Sequence, residues 1–328
     1  MQGKNPAELK IIKLLKSGGA GYISGQSISS SLGISRTAVW KHINSLKEMG
    51  FSIEASPSKG YRLGGKKGPF NGVGIASMIS TDIIGKEIVF FTSIDSTNAK
   101  AFELGRDGAP EGTAVIADMQ TSGKGRIGRK WESPPGVNLY ASIILRPGIM
   151  PQEAHQLTFL LAVAAAEAVG SYSPKRPKVK WPNDVLIDSR KVAGILMEMD
   201  SEADRVHFVV AGIGVNLNIR EKDFPAYIRA TAASLRDKRG AEIDRAEFTR
   251  DLFSSIEKWY KIYLGKGFSP VLDAWKGYFG FEGKPVSVSS FNRNTSGICM
   301  GVDKDGALLV KTPSGVERVI SGDVEAGE

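Results

Sequence analysis

The chain has 328 residues, 41% of them hydrophobic, with 43 Lys/Arg against 35 Asp/Glu and a net charge of +8. That length can bury a large core in two or three domains, and the composition fits a soluble globular protein. One cysteine, Cys299, and three histidines, His42, His155 and His207, exclude a disulfide framework and a recognisable zinc constellation, leaving Cys299 as a small core residue. At the N-terminus Lys4, Lys10, Lys13 and Lys16 interrupt the apolar stretch Leu9 to Leu15, which is not the pattern of a signal peptide. The most apolar helix-like stretch, Leu157 to Val169, is too short to span a bilayer and contains Glu167, so a cytoplasmic protein without membrane contact is expected.

Residues 1–67 contain eleven Lys/Arg against Glu8, Glu48 and Glu54, a surplus of eight that equals the net charge of the whole chain. Such a local excess favours a polyanionic partner. Leu9, Ile12 and Leu15 recur at helical spacing over residues 7–17 and Gly18-Gly19 stops the helix. Gln26 to Leu32 predicts a second helix, and Ser35 caps a third over Arg36 to Met49 with Val39, Ile43 and Leu46 on one face. This is a helix-turn-helix pattern. On the opposite face Arg36, Thr37, Lys41 and Asn44 are suited to phosphates and base edges in a major groove. Phe51 to Glu54 and Tyr61 to Leu63, joined by a turn carrying Lys59, predict a wing. A basic helical unit that binds protein or maintains solubility is the alternative. Lys66-Lys67-Gly68-Pro69 marks the expected linker.

Beyond it the patterning becomes mixed. Ile88 to Phe91 predicts a strand, followed by Asp95-Ser96-Thr97-Asn98 and a helix from Ala99; the Ser/Thr/Asn cluster either caps that helix or binds a small polar ligand. Gln120 to Pro147 then sets Gly123, Gly125 and Gly128 among Lys124, Arg126, Arg129 and Lys130. Glycines let backbone amides close on a ligand and the cations suit an anion, although a mobile solvated loop has the same composition. The spacing satisfies GxGxxG, yet Pro134-Pro135-Gly136 leaves no room for the helix of a dinucleotide-binding unit, and no GK[ST] follows for a Walker loop. Trp131 could cover a bound ring or serve as ordinary packing.

Val137 to Leu145 predicts a strand and Gln152 to Val169 a helix. VKWPNDVLIDSRKVAGILMEM predicts a hairpin bending at Asp188-Ser189-Arg190, with Lys191 opening the returning strand in a polar set with Lys180, Asn183 and Asp184. A lysine there can equally be solvated. His207 to Asn218 predicts a strand with two glycines where a ligand or strand could approach closely. Glu247 to Leu264 predicts an amphipathic helix, and Phe281 to Val324 alternates between turns in the manner of a small barrel.

The ordered segments DSTN (95–98), GKGRIGRKWESPPGVNLY (123–140), KWPND (180–184), KVAGIL (191–196) and GIGVNLN (212–218) resemble biotin protein ligases. With the helix-turn-helix in front, nearly the whole chain is similar to the bifunctional class that is also a biotin operon repressor. The resemblance implies an α+β multidomain fold: a winged helix-turn-helix DNA-binding domain over 1–67, a mixed α/β catalytic domain over 68–278 and a C-terminal SH3-like barrel over 279–328. It implies biotin and ATP as substrates with Mg2+ accompanying ATP and no protein-only metal site. Its partners would be a biotin carboxyl carrier protein, operator DNA and a second copy of the chain. Carried over residue by residue, Ser96, Thr97, Asn98 and Gln120 would hold the biotin head group with Lys124, Gly125 and Arg126. Lys191 would meet the carboxylate and α-phosphate, Trp131 would cover the adenylate, and Asn183, Asp184 and Asn216 would line the nucleotide or metal side. Lys124 stands where relatives commonly carry Arg, as does Ile127 in some, and an ammonium cannot reproduce a bidentate guanidinium. A ligand-sensing repressor without turnover and a lipoate ligase are the competing readings.

Overall fold

The computed structural model describes residues 6–65, 68–290 and 293–326; Lys4, Lys66 and Lys67 lie outside them. In the N-terminal unit α1 (Pro6–Ser17), α2 (Gly25–Leu32) and α3 (Arg36–Glu48) bury Ile11, Ile12, Leu15, Ile28, Val39, Ile43 and Leu46 in one cluster. Ser24 and Ser35 cap α2 and α3 by accepting from Ser27 N and Ala38 N, the usual remedy for exposed first-turn amides. The wing is β1 (Ile53–Ser56) paired antiparallel with β2 (Gly60–Leu63). Its first strand starts two residues later than the sequence suggests. Phe51 is spent on ending α3: its N–H donates to Leu46 O at 3.0 Å and its ring is buried.

The short helix α4 (Gly72–Ala76) joins two cores, since Val73 packs into the N-terminal cluster and Ile75 into the large one. Lys16 Nζ adds a tie across the same junction, donating to Ser77 O and Oγ.

The central unit is a seven-stranded mixed sheet. In chain order it contains β3 (Ile88–Ile94), α5 (Thr97–Arg106), β4 (Ala114–Gln120), β5 (Leu139–Leu145), α6 (Gln156–Tyr172), β6 (Lys178–Lys180), β7 (Asp184–Ile187), β8 (Arg190–Ser201) and β9 (Val206–Val215). The strand order is β3-β4-β5-β9-β8-β7-β6, with only β3 and β4 parallel, across the crossover helix α5. Side chains of a strand alternate between faces. Accordingly Leu139, Ala141, Ile143 and Leu145 of β5 and Val209, Ala211, Ile213 and Val215 of β9 face the large core, while Ile144, Phe208 and Val210 face α5. The large core is filled by α6, apolar on nearly every side and buried from Leu157 to Val169, and by α9 (Arg245–Lys266) and α10 (Ser269–Tyr278). Before these come two short helices, α7 (Ala226–Arg229) and α8 (Leu235–Arg239).

The C-terminal unit is a five-stranded antiparallel sheet of β10 (Pro285–Ser290), β11 (Arg293–Val302), β12 (Leu308–Thr312), β13 (Gly315–Val319) and β14 (Asp323–Ala326), in the order β13-β12-β11-β10-β14. No hydrogen-bonded pairing of β13 with β14 closes it into a barrel among the described residues. Its buried face, including Cys299, merges with the large core, and Trp181 Nε1 donating to Gly306 O at 3.0 Å pins its Asp303–Gly306 turn to the central unit.

Candidate functional site

The site arises where the α5 side of the sheet runs out of side chains. Along β9 the residues of that side read Phe208, Val210, Gly212, Gly214; the first two are covered by α5, and the glycines lie at and beyond its N-terminal end. A Cβ on Gly212 would stand 2.0 Å from Asn98 Oδ1, and one on Gly214 2.3 Å from the Trp131 indole. Gly194, directly paired with Gly214 across β8 and β9, would place its Cβ 2.8 Å from the same indole. Two facing glycines thus form a slot for one aromatic ring.

At one wall Ser96 N-caps α5, accepting from Ala99 N at 3.4 Å. Gln120 Oε1 accepts from Thr97 N at 2.8 Å and Thr97 Oγ1 at 3.1 Å, and Gln120 Nε2 donates to Ser133 Oγ at 2.9 Å. Ser142 Oγ lies 2.6 Å from Asn98 Oδ1 and 2.8 Å from Thr97 Oγ1, while Asn98 Nδ2 donates to Glu198 at 2.8 Å. Ser96, Thr97, Asn98 and Ser142 are all buried. Such a fully partnered network fixes its members in place. Tyr140 completes the wall; burial raises its phenol pKa, keeping it a neutral donor to Pro134 O.

The glycine loop contains no long helix. Gly125 N donates to Arg129 O at 2.7 Å and Trp131 N to Gly123 O at 2.9 Å, folding it into a narrow bridge with Lys124 opposite Lys130. Gly123 permits this, since a Cβ there would meet Trp131 O at 2.4 Å. At the tip Ile127 adopts φ +54° and is 70% exposed, a β-branched residue in the left-handed region, which costs about 1–3 kcal/mol.

The cations are brought to the pocket from several elements. Arg126 Nη1 donates to Asn183 Oδ1 at 3.1 Å and Gly322 O at 3.3 Å, and stands 3.6 Å from Asp323 Oδ1. Arg129 pairs with the other oxygen of Asp323, the first residue of β14. Burial lowers the pKa of Arg126, with Asp323 and Asp184 opposing the shift, and the guanidinium stays charged. Lys191 owes its direction to a β-bulge: Leu186 pairs with Lys191 but Val185 with Ala193, so Val192 is extra. Strict alternation would have sent Lys191 to the core side with Ala193; the bulge re-aims it beside Gly194. Its Nζ lies 5.3 Å from the Trp131 ring centroid and 2.7 Å from Asp184 Oδ1, a charge contact rather than a directed hydrogen bond, since that oxygen and Trp131 Nε1 are both buried without one.

Ten of the sequence-predicted residues therefore line one pocket: Ser96, Thr97, Asn98, Gln120, Lys124, Gly125, Arg126, Trp131, Asn183 and Lys191. Asp184 is one step behind, against Lys191, and buried Asn216 is farther back, its Nδ2 3.5 Å from Lys191 O. Ser133, Ser142, Glu198 and Asp323 join this constellation without having been anticipated. Ser142 carries a signal in retrospect, a serine in an otherwise apolar and aromatic strand; Asp323 has none in its neighbourhood. In the N-terminal unit Arg36, Thr37 and Lys41 are exposed on α3, Asn44 is half-buried, and Lys59 is exposed at the turn of the wing.

The family described as the biotin/lipoate A/B protein ligase family matches residues 90–216, an HTH domain family matches 8–62, and the biotin protein ligase C-terminal domain matches 282–327. The chain is 40% identical to the bifunctional ligase/repressor BirA of Bacillus spizizenii over 97% of its own length and 98% of the relative's. It is 32% identical to the protein of that name from Escherichia coli, over 98% and 97%. Among solved structures, the biotin protein ligase from Aquifex aeolicus in complex with biotin and ATP superposes with a TM-score of 0.65 at 29% identity, covering 74% of this chain and 99% of that one.

Proposed function

Since the chain belongs to the bifunctional biotin ligase/repressor family, we propose that it joins biotin to ATP and then transfers the biotinyl group to a lysine of a biotin carboxyl carrier protein. It also represses transcription by binding operator DNA with biotinyl-5′-adenylate as corepressor. The observation that carries the reading is the convergence of the DSTN segment, the glycine loop and Lys191 on a pocket floored by Gly194, Gly212 and Gly214.

In the first step a biotin carboxylate oxygen attacks the α-phosphorus, a C–O–P linkage forms, and the bond to the β-phosphate breaks with release of pyrophosphate. In the second, a neutral lysine amine attacks the carbonyl, the amide forms, AMP leaves and the amine loses a proton. Neither step needs an enzyme nucleophile, so the protein's contribution is position and charge. Ser96, Thr97 and Gln120 hold the polar ring of biotin, with Asn98 acting through Ser142. Trp131 covers the ligand. Lys191 spans the carboxylate and α-phosphate, and Lys124, Gly125 and Arg126 close on the phosphate. Asn183, Asp184 and Asn216 serve the nucleotide side. Mg2+ accompanying ATP would be held by Asp184 together with the ATP phosphates and would neutralise phosphate charge; it would share that carboxylate with Lys191, whose Nζ lies 2.7 Å from Oδ1.

Arg36, Thr37, Lys41 and Asn44 enter the major groove and Lys59 supports them from the wing. Accumulated adenylate orders the glycine loop and favours a homodimer through the central sheet, pairing two readers for two half-sites. The units take the bounds 1–67, 68–278 and 279–328. The protein is proposed to work in the cytoplasm. No described helix is long and apolar enough to cross a membrane.

The test is biotin-dependent ATP–pyrophosphate exchange with lipoate and octanoate in parallel and Lys191→Ala as control. Exchange with biotin alone, lost in Lys191→Ala, is expected. Exchange with lipoate instead would make this a lipoate ligase, and none with any acid a sensor-repressor. Equal operator affinity with and without biotin plus ATP would refute the corepressor role.

A further inference from the structure

Trp40 is 56% exposed on α3, about a quarter turn round the helix from the face that buries Val39, Ile43 and Leu46. It follows Arg36 by four residues and precedes Asn44 by four, with Thr37 and Lys41 beside it, so at 3.6 residues per turn the five form one patch. The patch contains no carboxylate; Glu48, at the far end, is the only acidic residue of α3. The side chains of Arg36, Thr37 and Lys41 make no hydrogen bond or ion pair among the described residues, and Trp40 has no ring or cation partner there. Two unpaired cations around an uncovered indole call for a polyanion that also offers an apolar surface, because large aromatic side chains contribute most when an interface covers them. An acidic protein would supply the charge, but the surplus of eight on this unit and its match to an HTH domain over 8–62 favour duplex DNA. In the major groove the apolar group on offer is the thymine C5-methyl.

We propose that Trp40 is a specificity-determining residue of the DNA reader, its indole covering a thymine methyl while Arg36 and Lys41 hold flanking phosphates. The inference rests on the DNA-binding half of the proposed function and extends it to the base that is read.

The test starts with the full chain, biotin and ATP, selecting duplexes from a randomised pool. The selected duplex is then remade with deoxyuridine in place of one thymine at a time, which deletes one methyl and alters nothing else. The wild type should lose about fourfold in affinity at one or two positions per half-site, the effect of uncovering about one methyl. Trp40→Ala, measured at low salt so that phosphate contacts keep it bound, should bind more weakly and be indifferent to the same uridines. Its biotin-transfer activity should match the wild type, showing an intact fold. The proposal is overturned if Trp40→Ala keeps the wild-type uridine pattern, or if the wild type binds its selected duplex yet ignores every uridine. Failure of the wild type to select any duplex would instead remove the DNA reading itself, together with the role of Trp40.

Discussion

Gly212→Ala tests whether the bare stretch of β9 is what lets the pocket wall form. The three atoms nearest a Cβ at Gly212 all belong to Asn98: Oδ1 at 2.0 Å, Cγ at 2.8 Å and Nδ2 at 2.9 Å. No real Cβ tolerates the first of these, so Asn98 must leave, abandoning its 2.8 Å bond to Glu198 and its 2.6 Å contact with Ser142. Buried polar groups stripped of partners cost about 1–3 kcal/mol each, and overpacking costs a similar amount. A loss of roughly 3–6 kcal/mol in urea unfolding is expected by these magnitudes. Because Asn98 lies in the first turn of α5 with Thr97, biotin affinity measured by titration calorimetry should fall as well. The decisive assay is a double-mutant cycle. Asn98→Ala alone should cost about 1–2 kcal/mol, and adding Gly212→Ala to it under about 1 kcal/mol, since the clashing side chain is gone. If Gly212→Ala costs the same in both backgrounds, the clash is not the cause and this account of the wall is wrong.

Arg126→Gly removes the contacts to Asn183, Gly322 and Asp323; it should leave stability within about 1–2 kcal/mol yet speed release of biotinyl-5′-adenylate and label lysines promiscuously, and unchanged adenylate retention would end the phosphate role. Glu257, buried, is subject to burial that would raise its pKa, but Lys261 and the amides of Asp82, Ile83 and Ile84 outweigh it and hold the value at about 2, against 4.5 when free. A depressed carboxyl stabilises the fold above the free value and loses that contribution as pH falls towards 2, here about 3 kcal/mol at 1.36 kcal/mol per pH unit. Glu257→Gln should therefore be weaker at pH 7 and show a flatter stability profile between pH 5 and 2; parallel urea profiles for the two proteins would contradict it. In the reader, operator affinity should fall steeply with salt, and Lys59→Ala should reduce the log–log slope by about one per reader; an unchanged slope would take Lys59 off the phosphates.

The reader helices were legible because the first and third carry apolar residues at helical spacing with a Gly18-Gly19 stop and a Ser35 cap, and the ends of all three fall within a residue or two of expectation. The wing was displaced because Phe51, apolar and β-prone, could equally start a strand or close a helix. The glycine loop was legible as a non-Rossmann turn from the nearness of Pro134-Pro135, and the bridge between Lys124 and Lys130 agrees. Unanticipated were the short helices α4, α7 and α8, the strand β4, whose apolar part over residues 114–117 shows no alternation, and α10, which follows Gly267 and begins Ser269-Pro270. A continuous apolar run is compatible with strand or helix until its neighbours are known. The direction of Lys191 required the bulge at Val192, which period-two reasoning cannot supply, and the pairing of Arg126 and Arg129 with Asp323 joins residues almost 200 positions apart. Pair contacts of that kind are properties of topology rather than of local sequence.

Three of the cations at the pocket are already matched within the chain, Lys191 by Asp184 of β7, and Arg126 and Arg129 by Asp323 of β14, whereas the Lys124 side chain has no partner among the described residues. An incoming phosphate would exchange partners at these three and gain a new pair at Lys124. The exchange costs little at Arg129, which is 69% exposed, since exposed ion pairs contribute about 0–1 kcal/mol. The greater cost is moving Trp131 off the slot formed by Gly194 and Gly214. That cost is offset from two sides. Trp131 Nε1 is buried there without an acceptor, a defect of about 1–3 kcal/mol, and Ile127 at the loop tip holds a left-handed conformation with a comparable penalty. Because both defects disappear if the loop rearranges, a ligand that binds both the slot and the cations need supply only the remainder. The loop is thus held closely enough to define the pocket and loosely enough to close on a different partner, which is what the proposed adenylate-dependent ordering of this segment requires.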